Sequence, residues 1–167
     1  MKTGLKWLDL AYAAIGTKEI KGGRHNSKIV GWWQAMKSHF RDDETAWCGA
    51  FVGGILAHAG LPAYPAGAGA RNWLKYGKRL DKPAEGCIVI FWRGKRNGWS
   101  GHVGFVVGKD RYGNLMVLGG NQSDAVNIKP FSTDRVLGYI WPSIWPSKHR
   151  FDLKILDSDG KVSTNEA

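Results

Sequence analysis

The sequence predicts an α+β protein in which N-terminal helices pack on a five-stranded antiparallel sheet. Apolar residues recur at helical spacing in the first half of the chain, whereas the second half contains short apolar or alternating runs separated by turn residues. Helices that precede strands in this way indicate segregated layers and an antiparallel sheet. The chain has 167 residues, of which 43% are hydrophobic, and is therefore long enough for one domain with a proper core.

The clearest predicted helix spans residues 46–59, where large apolar side chains share one face. Gly60 is a natural C-terminal stop, and Pro62 forbids continuation of the helix. Cys48 then falls in the first turn. The complete set of predicted helices spans residues 5–15, 27–37, 46–59 and, as a short helix, 69–76.

The predicted strands follow the helices. Residues 87–92 form a continuous apolar run typical of a buried strand, and residues 102–108 alternate small or polar with large apolar side chains. The five predicted strands span residues 87–92, 102–108, 114–120, 125–129 and 136–141.

A change of character marks the C-terminus. We expect residues 1–147 to form the domain and residues 148–167 to be an extension. Asp159-Gly160 favours a short hairpin in this extension, and the residues from Ser163 onward have the composition of a disordered end.

Cys48 is a candidate nucleophile because of its place at a helix start. Asp43 and Thr45 are both candidate N-caps for this helix. The unpaired N–H groups and the positive end of the helix dipole favour a thiolate there, and the thiolate is the reactive form. The same N–H groups suit a developing oxyanion. The alternative is a structural cysteine, since a free thiol packs as a small hydrophobic group.

His102, at the head of a predicted strand, is the candidate general base. If the following hairpin loop comprises residues 110–113, Lys109 faces Asn114 and His102 faces Asn121. The Asn121 oxygen then accepts the ring N–H and orients the imidazole, while the other ring nitrogen withdraws the thiol proton. A loop one residue longer or shorter breaks this pairing.

The remaining histidines are weaker candidates for the base. His58 lies on the helix of Cys48 but about 15 Å farther along its axis. The others lie in polar stretches where a solvated side chain is expected: His25, His39 and His149.

Several tryptophans and one glutamine complete the candidate residues. Of the nine tryptophans, three at helix-compatible positions are predicted core residues: Trp7, Trp33 and Trp73. Trp92 and Trp99 flank the loop that leads to His102, where aromatic rings can stack on a substrate, although core packing is the favoured reading of Trp92. The predicted substrate-binding set is Trp47, Trp92, Trp99 and Gln122.

Six motifs between residues 16 and 122 carry a family resemblance that covers roughly residues 5–142. They are Gly16-Thr17-Lys18-Glu19, Asn26-Ser27-Lys28-Ile29, the segment Asp43 to Val52 containing Trp47-Cys48, Ala70-Arg71-Asn72-Trp73, Gly101-His102-Val103-Gly104-Phe105 and Leu118-Gly119-Gly120-Asn121-Gln122. Together they resemble the CHAP and NlpC-type peptidoglycan hydrolases, most of all the single-domain enzymes used as bacteriophage endolysins. Trp-Cys combined with Gly-His-Val-Gly is the most specific part of the resemblance.

The resemblance implies a papain-like fold and a cysteine hydrolase that cleaves an amide bond in the peptide part of bacterial peptidoglycan. By position, Cys48 matches the nucleophile, His102 the base and Asn121 the orienting residue. An endopeptidase is slightly favoured over an N-acetylmuramoyl-L-alanine amidase, and a non-catalytic wall-binding or polyanion-binding protein is the alternative. The family commonly has Gly-Asp before the histidine strand, whereas this chain has Gly86-Cys87, a departure that concerns local structure.

No metal or cofactor is expected. Some relatives bind calcium near the cysteine, but a charged helix start is the favoured explanation of Asp42, Asp43 and Glu44. Cys48 and Cys87 are the two cysteines, match no zinc signature and are expected to remain thiols in a reducing compartment.

The net charge of the chain indicates which classes of binding partner to expect. The formal charge of +10 favours polyanions such as nucleic acid, anionic lipid or wall polymers. The basic residues are dispersed, so no specific nucleic acid is expected, and no apolar run approaches the ~18 residues of a membrane span. We expect a monomer made in the host bacterial cytoplasm without an export signal, which reaches the wall after another protein permeabilises the membrane.

Overall fold

The computed structural model describes residues 2–20, 25–38, 46–62, 69–142 and 149–164. Three helices come first: α1 (Lys6–Ala13), α2 (Ser27–Ala35) and α3 (Cys48–His58). A 3-10 turn at Ala70–Lys75 leads into the strands, and a second one at Thr133–Arg135 precedes the last strand. The strands are β1 (Lys78–Leu80), β2 (Ile88–Trp92), β3 (Gly101–Lys109), β4 (Leu115–Gly119), β5 (Asn127–Phe131) and β6 (Val136–Trp141).

The strands form one sheet in the order β1-β6-β2-β3-β4-β5, and all the pairings are antiparallel. This arrangement confirms the predicted combination of helices with an antiparallel sheet. The predicted number of five strands is wrong, because β1 adds a sixth strand at the edge beside β6. With only three residues, β1 is too short to display an alternating pattern. The papain-like fold stays a prediction.

Helix α3 packs on β3, and α2 packs on α3. Phe51 of α3 meets Phe105 of β3 edge to face, with 5.9 Å between ring centroids. Two glycines in α3 allow the close approach of α2, since a Cβ atom at Gly54 would lie 2.5 Å from atoms of Trp32. Three tryptophans are confirmed as core residues: Trp7, Trp33 and Trp73. No helix in the described part of the chain is long and apolar enough to cross a membrane.

The contact between α2 and α3 provides a stability prediction. Gly54→Ala is expected to destabilise the protein by about 1–3 kcal/mol, because the added methyl group overlaps the Trp32 side chain. Gly31→Ala in α2 is the matched control, since its Cβ meets nothing within 4 Å and alanine favours helix. Urea unfolding of both variants measures the difference. Equal stability of the two variants would show that the helices are not in this close contact.

The β3–β4 hairpin differs from the prediction in its loop but not in its central register. Lys109 pairs with Leu115 rather than Asn114, so the loop is one residue longer than expected. A bulge between Val106 and Gly108 compensates, and Phe105 faces Leu118 as the predicted register requires. The ladder ends at that pair, so His102 and Asn121 are not ladder partners. The next strand, β5, begins two residues later than predicted, at Asn127.

The C-terminal residues 149–164 run against the sheet. Ile155 forms a parallel bridge with Lys109, and Ser163 N donates to Pro130 O at 2.8 Å. The expected hairpin at Asp159-Gly160 is absent from residues 149–164, and Ser163, expected to be disordered, is anchored. The predicted domain boundary after residue 147 stays a prediction.

Candidate active site

Cys48 is the first residue of α3 and is 1% exposed. The N-cap position belongs to Trp47, which makes no side-chain capping bond. The predicted caps Asp43 and Thr45, like the acidic residues 42–44, lie outside the described residues. The backbone N–H groups of Cys48 and Gly49 point instead at the sulfur and stabilise its anionic form.

Strand β3 supplies a further N–H group to the sulfur. Val106 N donates to Cys87 O on the β2 side, so alternation directs the N–H of Val103 toward β4. The β3–β4 ladder has already ended at the pair Phe105 and Leu118. The Val103 N–H has no partner in the β3–β4 ladder and lies close enough to Cys48 Sγ to lower the pKa of the thiol. The sulfur thus lies beside the start of β3, close to His102 in the chain.

Burial dominates the pKa of the Cys48 thiol. Desolvation raises it to about 11, against the lowering effects of the three N–H groups and of the positive charge of Arg93. The sulfur is therefore a protonated thiol at neutral pH in this conformation. Nucleophilic attack then requires a base that removes the proton as the reaction proceeds.

His102 is fully buried in an aromatic layer. Its ring is parallel to Phe131, with an interplanar angle of 3° and 5.2 Å between centroids, and it also stacks on Phe91 at 6.4 Å. Its Nε2 atom lies 3.0 Å from Gln122 Oε1. An amide oxygen only accepts, so Nε2 carries the proton and Nδ1 carries the lone pair.

The lone pair on His102 Nδ1 is buried and unused. No described atom forms a hydrogen bond with Nδ1, and no hydrogen bond joins the imidazole to Cys48 Sγ. Burial lowers the pKa of His102 to about 4, with Arg135 and Arg93 acting in the same direction and the bond to Gln122 opposing them. The imidazole is therefore neutral at pH 7 and able to accept a proton.

Gln122, not Asn121, is bonded to His102. Asn121 has a left-handed backbone, with φ of 58°, which turns the chain so that the next side chain reaches the imidazole. Asn121 Oδ1 is buried without a partner among the described residues. No direct signal in the sequence predicts this turn, although asparagine is one of the residues that tolerate the left-handed region. The predicted contact between Asn121 and His102 is wrong.

The orientation of the Gln122 amide is fixed by its surroundings. Its Nε2 donates to Val117 O at 3.2 Å and to Asn127 O at 2.9 Å, which leaves Oε1 to face His102. Gly119 makes room for this arrangement, since a Cβ atom there would overlap Gln122 Oε1. Gln122 is completely buried and thus orients the histidine rather than presenting a surface to substrate.

The predicted substrate-binding tryptophans occupy different environments. Trp47 is fully buried, stacks on Trp32 and donates from Nε1 to Glu19 Oε1 at 2.9 Å. It therefore fixes the start of α3. Trp92 is partly buried at the end of β2, and Trp99 is 90% exposed on the loop before β3. Among these tryptophans, Trp99 has the exposure that suits contact with a large substrate.

Two residues that fix the site were not identified from the sequence. Glu19 accepts the Trp47 bond, and Arg71 donates three bonds to carbonyl oxygens of the loop before β3, at Ser100, Arg96 and Lys95. Both belong to motifs noted in the sequence, but their roles depend on long-range contacts. Of the weaker histidines, His25 and His58 are exposed, His149 packs on Trp141, and His39 lies outside the described residues.

Comparison with known families agrees with these motifs. Residues 40–121 match the CHAP domain, and the match includes Cys48, His102 and Asn121. CHAP domains are generally cysteine- and histidine-dependent hydrolases of peptidoglycan. A search of curated proteins found no significant match to the chain.

Proposed function

We propose that the protein, whose residues 40–121 match the CHAP domain, is a peptidoglycan hydrolase that cleaves an amide bond in the peptide part of the wall. Cys48 is the nucleophile and His102 the general base. The observation that carries this proposal is that Sγ lies within reach of the N–H group of Val103, the residue next to a buried neutral histidine whose Nδ1 forms no hydrogen bond with the described residues.

The reaction begins from a neutral pair. As Sγ attacks the amide carbonyl, its proton passes to His102 Nδ1 and a tetrahedral oxyanion forms. The imidazolium then returns the proton to the departing nitrogen, which leaves as an amine and gives a thioester on Cys48. Water hydrolyses the thioester with His102 again acting as base. Gln122 Oε1 accepts the Nε2 proton throughout and keeps the imidazole in the reactive tautomer.

The backbone N–H groups of Cys48, Gly49 and Val103 stabilise the negative charge. In the resting protein they point at the sulfur. The oxyanion forms on the atom next to the attacked carbon, so a small movement transfers these donors to it. Sulfur and imidazole are both buried, and substrate therefore reaches them only after a local opening of the structure around them.

Gln122 can be tested separately from the nucleophile. Gln122→Ala is expected to lower kcat about tenfold, because one buried hydrogen bond that orients the base is lost. The bond raises the pKa of His102, so its loss is expected to move the acid limb of the pH profile to lower pH. Asn121→Gly is the control, since glycine keeps the left-handed backbone. If Asn121→Gly shifted the profile and Gln122→Ala did not, Asn121 would be the orienting residue.

We propose an endopeptidase that acts within the stem peptide, in the role of a phage endolysin made in the bacterial cytoplasm. Mass spectrometry of fragments released from purified sacculi tests this assignment. New amino termini on stem amino acids other than L-alanine are expected. Release of intact stems with free L-alanine amino termini would identify a muramoyl-alanine amidase instead. Binding to sacculi without any released amine would reject hydrolysis altogether.

A further inference from the structure

A cleft of about 410 Å³ opens beside the candidate active site. It is lined by Arg93, Gly94, Ser100, Arg135 and Thr164. Its lining contains two arginines, a serine and a threonine, and no acidic residue is among the described residues that line it. A cleft with this lining attracts an anionic group.

The guanidinium group of Arg93 has hydrogen-bond donors that no described residue uses. In the described parts of the chain its guanidinium group makes no hydrogen bond or ion pair, although the side chain is only partly exposed. Arg93 directly follows Trp92, which pairs with Gly101 next to His102, and its charge acts on both Cys48 and His102. Its backbone is fixed, since Arg93 N donates to Ser100 O at 3.1 Å and Arg71 holds the same loop. Arg93 therefore offers unused donors at a defined position.

Arg135 supplies a second charge that is held in place. Its guanidinium carbon lies 5.8 Å from the centroid of Phe91 and 5.7 Å from that of Phe131, the two rings that also pack against His102. It donates to Ser163 O at 3.1 Å. Arg135 thus joins the lining of the cleft to the aromatic rings that pack against His102.

We propose, on the basis of the proposed function, that this cleft binds a free carboxylate of the stem peptide adjacent to the scissile amide. Arg93 contacts the carboxylate with two parallel N–H donors, the geometry in which a guanidinium group matches a carboxylate best. Arg135 provides a fixed positive charge beside it. Stem peptides carry such carboxylates near their amide bonds, and the position of Arg93 next to both reacting groups favours a carboxylate on the substrate itself.

The test measures binding to Cys48→Ala protein, so that no turnover occurs. Calorimetry at one ionic strength compares the binding of two synthetic stem peptides. The first peptide has a free carboxylate next to the scissile bond, and the second has a carboxamide at that position but is otherwise identical. We expect the carboxylate peptide to bind about tenfold more tightly. Adding Arg93→Gln is expected to abolish this preference. Lys95→Gln is the matched control, because it removes the same charge from an exposed position on the same loop and is expected to retain the preference.

Three outcomes would overturn the proposal. The first is equal binding of the two peptides, or no binding of either, by the Cys48→Ala protein. The second is that the protein with Arg93→Gln still prefers the carboxylate peptide, or that this substitution weakens the binding of both peptides equally. The third is Arg93-dependent binding of a glycerol phosphate oligomer in place of the peptide, which would assign the cleft to the phosphate of a wall polymer. If the wild-type protein failed to cut sacculi, the proposed hydrolase function would be rejected. The binding measurements on the Cys48→Ala protein would still show whether the cleft binds a carboxylate.

Discussion

Cys48→Ala is expected to abolish the release of fragments from purified sacculi, by about 10⁴-fold or more, while the protein remains folded. The sulfur forms the thioester, and no other group can replace it in the first step. Alanine keeps the Cβ atom at the start of α3 and removes only the buried sulfur, so a modest loss of stability of roughly 1 kcal/mol is expected. Turbidity loss and amine release measure activity, and circular dichroism measures folding.

Cys87→Ala is the control for this variant. Cys87 is also a fully buried free thiol, and burial raises its pKa to about 12. It lies just before β2 and takes no part in the proposed chemistry, so activity is expected to persist with a similar small loss of stability. Undiminished lysis by Cys48→Ala, or loss of lysis in Cys87→Ala alone, would show that the nucleophile is assigned to the wrong residue.

His102→Phe is expected to reduce kcat by about 10³-fold or more and to change the dependence of stability on pH. Phenylalanine fills the space between the neighbouring rings but accepts no proton. It leaves Gln122 Oε1 without its donor, so some loss of stability at pH 7 is expected. Steady-state assays on a soluble stem peptide measure kcat.

The sign of the pH effect follows from the lowered pKa of His102. The histidine has a pKa of about 4 in the folded protein, against 6.5 for an unperturbed imidazole. The unfolded chain therefore binds a proton between these values while the folded protein does not. The stability contribution of roughly 3 kcal/mol is complete above about pH 6.5 and is lost as the pH falls to about 4. In His102→Phe the free energy of unfolding should fall less steeply over this range. Parallel slopes in the two proteins would contradict a buried neutral histidine.

The sequence predicted the large features of the fold because they depend on local periodicity. Helix α3 and strands β2 and β3 lie close to their predicted bounds, since long apolar patterns define them. The three-residue strand β1 has no such pattern, and only its pairing with β6 defines it. Residues 125–126 were assigned to β5 from composition, but Ala125 instead bridges to Lys18, a long-range contact that no local pattern encodes.

The candidate site shows how one local backbone choice changes a prediction. The register near Phe105 was predicted from a four-residue loop, and it is retained only because a bulge cancels the extra loop residue. Beyond the ladder, strict alternation favoured Asn121 as the partner of His102. The left-handed backbone of Asn121 breaks that alternation and brings Gln122 to the imidazole. Alternation predicts neither bulges nor left-handed residues, so the polar residue was placed one position too early.

The donor that β3 gives to the sulfur comes from the main chain of Val103. Every amino acid except proline has this N–H group, so the donor is present whichever other side chain occupies the position. When residue 103 is replaced by each of the other amino acids, eighteen replacements should keep the N–H donor and change only the packing. Proline alone should remove the donor and lower catalytic activity. Variation at this position among natural sequences can be wide without loss of the donor, which a search for invariant side chains would overlook.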